Sequence, residues 1–231
     1  MKICNVLVLV LFLFSGIPCL GWAATSCITG GPHDLTSLGG SDNNGNACEF
    51  CHIPHNAVPG EALFNREVSK ASFSPYKWVA PPNADIKIDD PLIGASRLCM
   101  SCHDGVTAIA MIDGNPVYMP ERSVIGNKVV DLTRNHPIGF SYDLAMTTRK
   151  SGELVDKQER FATSITISQN SGVYNTVERN GHYKIADTLY LGEYVTCDTC
   201  HNVHGCGDDD SGYLLRAKEA ASLICLSCHL K

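Results

Sequence analysis

The chain has 231 residues and a formal charge of −6, with 18% charged and only 7% aromatic residues. That length fits one or two domains, and with no basic stripe a nucleic-acid partner is not expected. So few aromatics are thin for a core of this size, so other large apolar bodies are expected inside.

Residues 1–23 read as an export signal. Lys2 is the charged start, Ile3 to Phe14 is almost continuously apolar, and Gly21-Trp22-Ala23-Ala24 offers small residues for cleavage. The expected cut follows Ala23, with Ala24 the alternative. A retained anchor is disfavoured because the apolar run is shorter than the ~20 residues a span needs. Lipid attachment at Cys19 is disfavoured because Pro18 precedes it. Cleavage would remove only the charge of Lys2, leaving an acidic chain that favours a basic partner.

Thr29 to Asn46 is rich in Gly, Asn and Ser and reads as a loop carrying His33. Next comes Cys48-Glu49-Phe50-Cys51-His52, with His55 three residues on. The stretch containing Pro75, Pro81, Pro82 and Pro91 predicts extended coil. Leu92 to Leu98 predicts a helical turn or two leading into Cys99-Met100-Ser101-Cys102-His103. Ser123 to Val130 predicts a small hairpin around Gly126-Asn127, and Asn135-His136-Pro137 follows. Ser151 to Phe161 predicts a short surface helix with Glu153 and Lys157 four apart. Asn180-Gly181 predicts a hairpin turn between Val173–Val177 and Tyr183–Leu191. Cys197-Asp198-Thr199-Cys200-His201 then repeats the first motif, with His204 three residues on. Ala-rich Leu214 to Leu223 predicts a helix into Cys225-Leu226-Ser227-Cys228-His229.

The pentapeptide C-x-x-C-H thus occurs four times, and it is the attachment motif of c-type haem. Two thiols at this spacing reach two vinyl groups on one porphyrin edge, and the next His takes the iron. The competing reading is a pair of zinc ribbons. Zinc does not require His after every second Cys, and only 9 His occur in the chain. The thioether residues are then Cys48, Cys51, Cys99, Cys102, Cys197, Cys200, Cys225 and Cys228. The proximal ligands are His52, His103, His201 and His229. Four haem c groups also supply the missing apolar bodies, and c-type attachment outside the cytoplasm agrees with export.

The parts recur in one order. His33, C-x-x-C-H-x-x-H and C-x-S-C-H in the first half are matched by His136, C-x-x-C-H-x-x-H and C-x-S-C-H in the second. We expect one tetrahaem domain over 24–231, built from two dihaem repeats at about 24–120 and 121–231. Each repeat has two spare His, so His33, His55, His136 and His204 are the expected distal ligands. Bis-imidazole iron is low-spin and of low potential. His55 and His204 lie too close to their own proximal His to reach the far face of the same ring. Each is expected to ligate a neighbouring haem.

His182 has no counterpart in the first half and reads as a surface side chain. Met119 and Met146 are alternative axial ligands, with packing the favoured role. Cys27 and Cys206 remain as a disulfide candidate, or as two free thiols. Asp208-Asp209-Asp210 reads as a solvated acidic loop rather than a cation site.

GPHDL, CEFCHIPHN, LCMSCHDG, NHPIGF and CHNVHG, in this order and number, resemble the outer-surface tetrahaem c-type cytochromes of metal-reducing bacteria. The resemblance covers most of the chain after the leader and is weak between Glu121 and Leu191. It implies a multihaem cytochrome c fold, mostly irregular coil with short helices and a few β-hairpins packed around four haems. It also implies extracellular electron transfer and polymerisation into filaments with a continuous haem chain. The partners would be further copies, other redox proteins or metal oxides. Within such a filament a His from the next subunit ligates one haem, and His33 is the candidate donor. The alternative is a soluble periplasmic tetrahaem shuttle. An enzyme is not expected, because the spare His leave no iron position open and no acid/base pair is evident.

Overall fold

Regular elements are short throughout the described residues, the longest being a nine-residue helix. The computed structural model describes residues 28–36, 47–57, 63–79, 83–121, 124–125, 130–149, 152–167, 176–205 and 213–230. The leader, Cys27, Cys206, Asp208–Asp210 and the centre of the Gly126-Asn127 hairpin lie outside these residues. Among the described residues five short α-helices occur: α1 (Ala95–His103), α2 (Tyr142–Thr148), α3 (Ile185–Thr188), α4 (Cys197–Cys200) and α5 (Leu223–Cys228). Three 3₁₀ turns (Ala47–Phe50, Asn83–Asp85 and Ala220–Ser222) and two antiparallel pairs accompany them, β1 (Ala110–Ile112) with β2 (Asn115–Val117) and β3 (Ser164–Thr166) with β4 (Thr176–Glu178). No helix among them is long and apolar enough to cross a membrane.

The β1–β2 turn is Asp113-Gly114, with φ of 49° and 77°. Positive φ at both central residues gives the strand twist a tight hairpin requires, and Asp-Gly supplies it cheaply. In α2 the Ser141 hydroxyl accepts from Leu144 N at 3.2 Å, satisfying one of the free N–H groups of the first turn. In α3 the Asp187 carboxylate reaches back to Lys184 N at 3.2 Å.

The main apolar cluster holds Phe140, Tyr142, Ala145, Val155, Phe161, Ile185, Leu189, Val195 and Ala217, with Ile86 from the first half. A smaller cluster joins Phe73, Leu92, Met100 and Leu132. Tyr142 brings a polar atom into the larger core and satisfies it by donating to Val155 O at 2.7 Å.

Three local expectations fail. Asn180-Gly181 is no hairpin turn: Gly181 N donates to Phe161 O at 3.0 Å, and a Cβ there would lie 2.7 Å from that oxygen. The glycine therefore serves a close backbone approach, and the expected second strand contains α3 instead. Residues 152–161 form no helix. Val155 N donates to Cys228 O at 2.9 Å and Leu154 bridges His229, so this part runs along the fourth motif, while Asp156–Glu159 turn and Lys157, Glu159 and Phe161 pair with residues 183–186. Glu153 pairs with Arg149 and Lys157 with Asp143, not with each other. Leu214 to Glu219 is irregular, Ala220–Ser222 makes one 3₁₀ turn with positive φ at Ala221 and Ser222, and α-helix begins only at Leu223. Ala propensity there loses to the backbone bridge between Leu215 and His201.

Candidate haem centres

Each C-x-x-C-H wraps into about one helical turn. His52 N donates to Cys48 O at 2.9 Å, His201 N to Cys197 O at 3.1 Å and His229 N to Cys225 O at 2.9 Å. The second motif ends α1. One turn puts two residues three apart on the same face, which is the presentation that a porphyrin edge requires.

Neighbouring segments hold each turn. Around the first motif, Asn65 Nδ2 donates to Glu49 O at 2.8 Å, and the Arg66 guanidinium lies 5.1 Å above the Phe50 ring. Around the third, Arg216 Nε donates to Asp198 O at 2.8 Å. Around the fourth, Ala162 N donates to Ser227 Oγ at 2.8 Å and Arg179 Nη2 to Leu226 O at 2.9 Å.

The histidines stand in pairs. The ring centres of His52 and His204 are 5.9 Å apart, those of His33 and His103 6.1 Å, and those of His136 and His229 6.4 Å. Each pair joins one C-x-x-C-H histidine to one spare histidine. Two metal–imidazole bonds of about 2 Å in line, with about 1 Å from each nitrogen to its ring centre, need roughly 6 Å. The spacing therefore fits one iron between each pair.

The ring nitrogens fit as well. His136 Nδ1 lies 2.9 Å from Pro137 O, and His201 Nδ1 2.8 Å from Tyr213 O. A carbonyl only accepts, so each Nδ1 carries the proton and Nε2 keeps its lone pair for a metal. His33 Nδ1 is buried with no hydrogen-bond partner. Burial first, then the neighbouring His103, His201 and His204, hold the His33 pKa below its ordinary value. That favours the neutral, ligating form.

His55 and His201 are exposed, and the structure puts neither in a pair of this spacing. His182 is exposed, edge-on to Tyr183 at 4.5 Å. Met146 packs against the main core, and Met119 is partly buried.

The thiols favour neutrality. Burial pushes Cys200 up to about 12 and Cys228 up to about 11, so conversion to uncharged thioethers would strand no charge inside. Cys99 and Cys197 share a hydrogen bond that raises the first and lowers the second. Cys197 N also donates to buried Ser96 Oγ at 3.1 Å. The second and third motifs therefore meet at their first cysteines, where the two repeats join. Among the described residues no three His, Cys, Asp or Glu side chains gather to hold a bare metal ion.

Sequence reasoning missed Ser96, Arg66 and Asp104. Only Asp104 had a local signal, a carboxylate directly after a proximal His. The chain matches no protein-family model and no curated protein sequence.

Proposed function

We propose that the chain is an exported tetrahaem c-type cytochrome that transfers electrons outside the cytoplasm. The observation that carries this is the set of three proximal–distal imidazole pairs at iron-bridging distance. The eight motif cysteines would hold four haems as thioethers, and bound haem supplies one-electron exchange between ferric and ferrous iron. In this reading His33 serves the haem of His103, His204 that of His52, and His136 that of His229. His55 serves the haem of His201, because the tether from His52 to His55 equals that from His201 to His204. The first and third haems then exchange distal ligands and are held side by side. With two imidazoles per iron no position is open to substrate, which is why we read a carrier and not an enzyme.

The filament reading places the chain at the cell surface, passing electrons to metal oxides or redox partners through a continuous haem chain. His33 sits on the N-terminal arm, and exchange of such an arm between copies converts an internal ligand into an inter-subunit one at low cost. The periplasmic shuttle is favoured by one observation: His33 lies against His103 of its own chain. Electron microscopy of the native protein and of a His33→Ala variant separates the two. Filaments lost in the variant, with four haems retained, support arm exchange. Filaments that persist sink the His33 link and keep the conduit. Monomers under all conditions leave the shuttle. A native protein carrying fewer than four covalent haems by mass overturns the whole reading.

A further inference from the structure

Asp104 is a fully buried carboxylate at the end of α1, directly after His103. Its Oδ1 accepts from Val106 N at 3.0 Å and Thr107 N at 2.8 Å. Its Oδ2 accepts from Thr107 Oγ1 at 2.6 Å and Ser69 Oγ at 3.1 Å. All four donors are neutral. The nearby cation is Arg66, whose Nη2 donates to the carbonyls of Ala108 and Ile109 and whose charge, like that of Asp104, is felt at Cys102 of the same motif.

The other three motifs put no charge at this position. Ile53 follows His52, Asn202 follows His201 and Leu230 follows His229. Motifs two and four otherwise share the pattern C-x-S-C-H and occupy equivalent places in the repeat. Asp104 against Leu230 is therefore a charge difference between two similar sites. A buried charge acts through a low local dielectric and is felt more strongly than a surface charge. Negative charge favours ferric over ferrous iron, because the ferric centre carries one more positive charge.

We propose that the buried Asp104 carboxylate holds the reduction potential of the haem carried by His103 below that of the haem carried by His229. The proposal rests on the haem reading above. Asp104 is a positioning residue, since it also ends α1 by tying the turn 104–107 to Ser69. Charge and turn must be tested apart.

Asp104→Asn removes the charge and keeps an oxygen for Val106 N and Thr107 N, while both hydroxyls rotate to accept from the new amide. Redox titration of the full-length protein with all four haems attached should show one reduction wave rising and three moving less. A His33→Met change, which places a thioether at the same iron and raises its potential, marks which wave it is. Ser69→Ala loosens the turn but keeps the charge, so the marked wave should stay or fall. Four unchanged waves in Asp104→Asn, or the same rise in Asp104→Asn and Ser69→Ala, overturn the proposal. If Asp104→Asn does not fold, the double change Ser69→Ala with Thr107→Val decides. It leaves the charge less screened, so the marked wave should fall, and a rise overturns the proposal. Failure of the wild type to carry four haems would instead strike the underlying haem reading.

Discussion

The two halves carry the same order of C-x-x-C-H motifs but hold them differently. The fourth motif is clamped by polypeptide: Val155 N on Cys228 O, Ala162 N on Ser227 Oγ, Arg179 on Leu226 O. Beside it lies a core with Phe140, Tyr142, Phe161 and Ile185. The first motif is a single 3₁₀ turn, Ala47–Phe50, steadied by Asn65 and Arg66 at its rim. The apolar cluster of that half, Phe73, Leu92, Met100 and Leu132, is small. In our reading the first half relies on haem for its interior, whereas the second has an interior of its own. Repeated motifs therefore need not imply equal folding stability.

The largest test of that difference is haem removal. Replacing Cys48 and Cys51 by Ala should unfold the first half, seen as rapid proteolytic cleavage within residues 47–121 at native temperature. Replacing Cys225 and Cys228 by Ala should leave residues 130–200 protected. Equal cleavage of both halves in both variants would erase the distinction. Next comes Phe161, 1% exposed in the second-half core. Phe161→Ala should cost about 3–5 kcal/mol in guanidinium unfolding. Phe73→Ala should cost less, below about 3 kcal/mol, because its cluster is smaller and a haem would cover part of the gap. Reversed magnitudes would place the stable core in the wrong half.

The same contrast explains how much was legible in sequence. The C-x-x-C-H motifs have a fixed spacing, so Cys48 through His229 stand out in the sequence alone. The tethers of His55 and His204 argue for ligation of a neighbour, and the structure sets His204 5.9 Å from His52. Elements without such chemistry were harder to place. Asp113-Gly114 was the hairpin to find, with turn residues of the right kind, yet Asn180-Gly181 drew the prediction. A glycine signals either positive φ or close approach, and only the packing of Phe161 on Gly181 decides between them. Residues 152–161 have helical charge spacing, but the backbone of Glu153 and Val155 pairs with Leu230 and Cys228, and that of Lys157, Glu159 and Phe161 with residues 183–186, which a local pattern cannot reveal. The meeting of Ser96 with Cys197 spans 101 residues, so no local signal carries it.

Smaller changes sharpen the comparison site by site. His204→Ala should turn one low-spin haem high-spin in electron paramagnetic resonance. The other three should stay unchanged, as should the second-half core. Conversion of the third haem instead of the first would show that His204 serves its own ring. Tyr142→Phe removes the buried bond to Val155 O and should cost about 1 kcal/mol, read as a shift of the unfolding midpoint.

The smallest effect tests whether surface charge contributes to the second-half interior. Lys157 Nζ lies 2.5 Å from Asp143 Oδ2, with 26% and 52% of the two side chains exposed. It also donates to Gly192 O at 3.2 Å, tying α2 to the turn after α3. An exposed ion pair is worth roughly 0.2–1 kcal/mol and is screened by salt. Lys157→Met keeps much of the aliphatic stem and should cost at most that, with the loss shrinking as salt is added in urea unfolding. A larger, salt-independent loss would show that the carbonyl bond to Gly192, and not the charge pair, holds that turn onto the core.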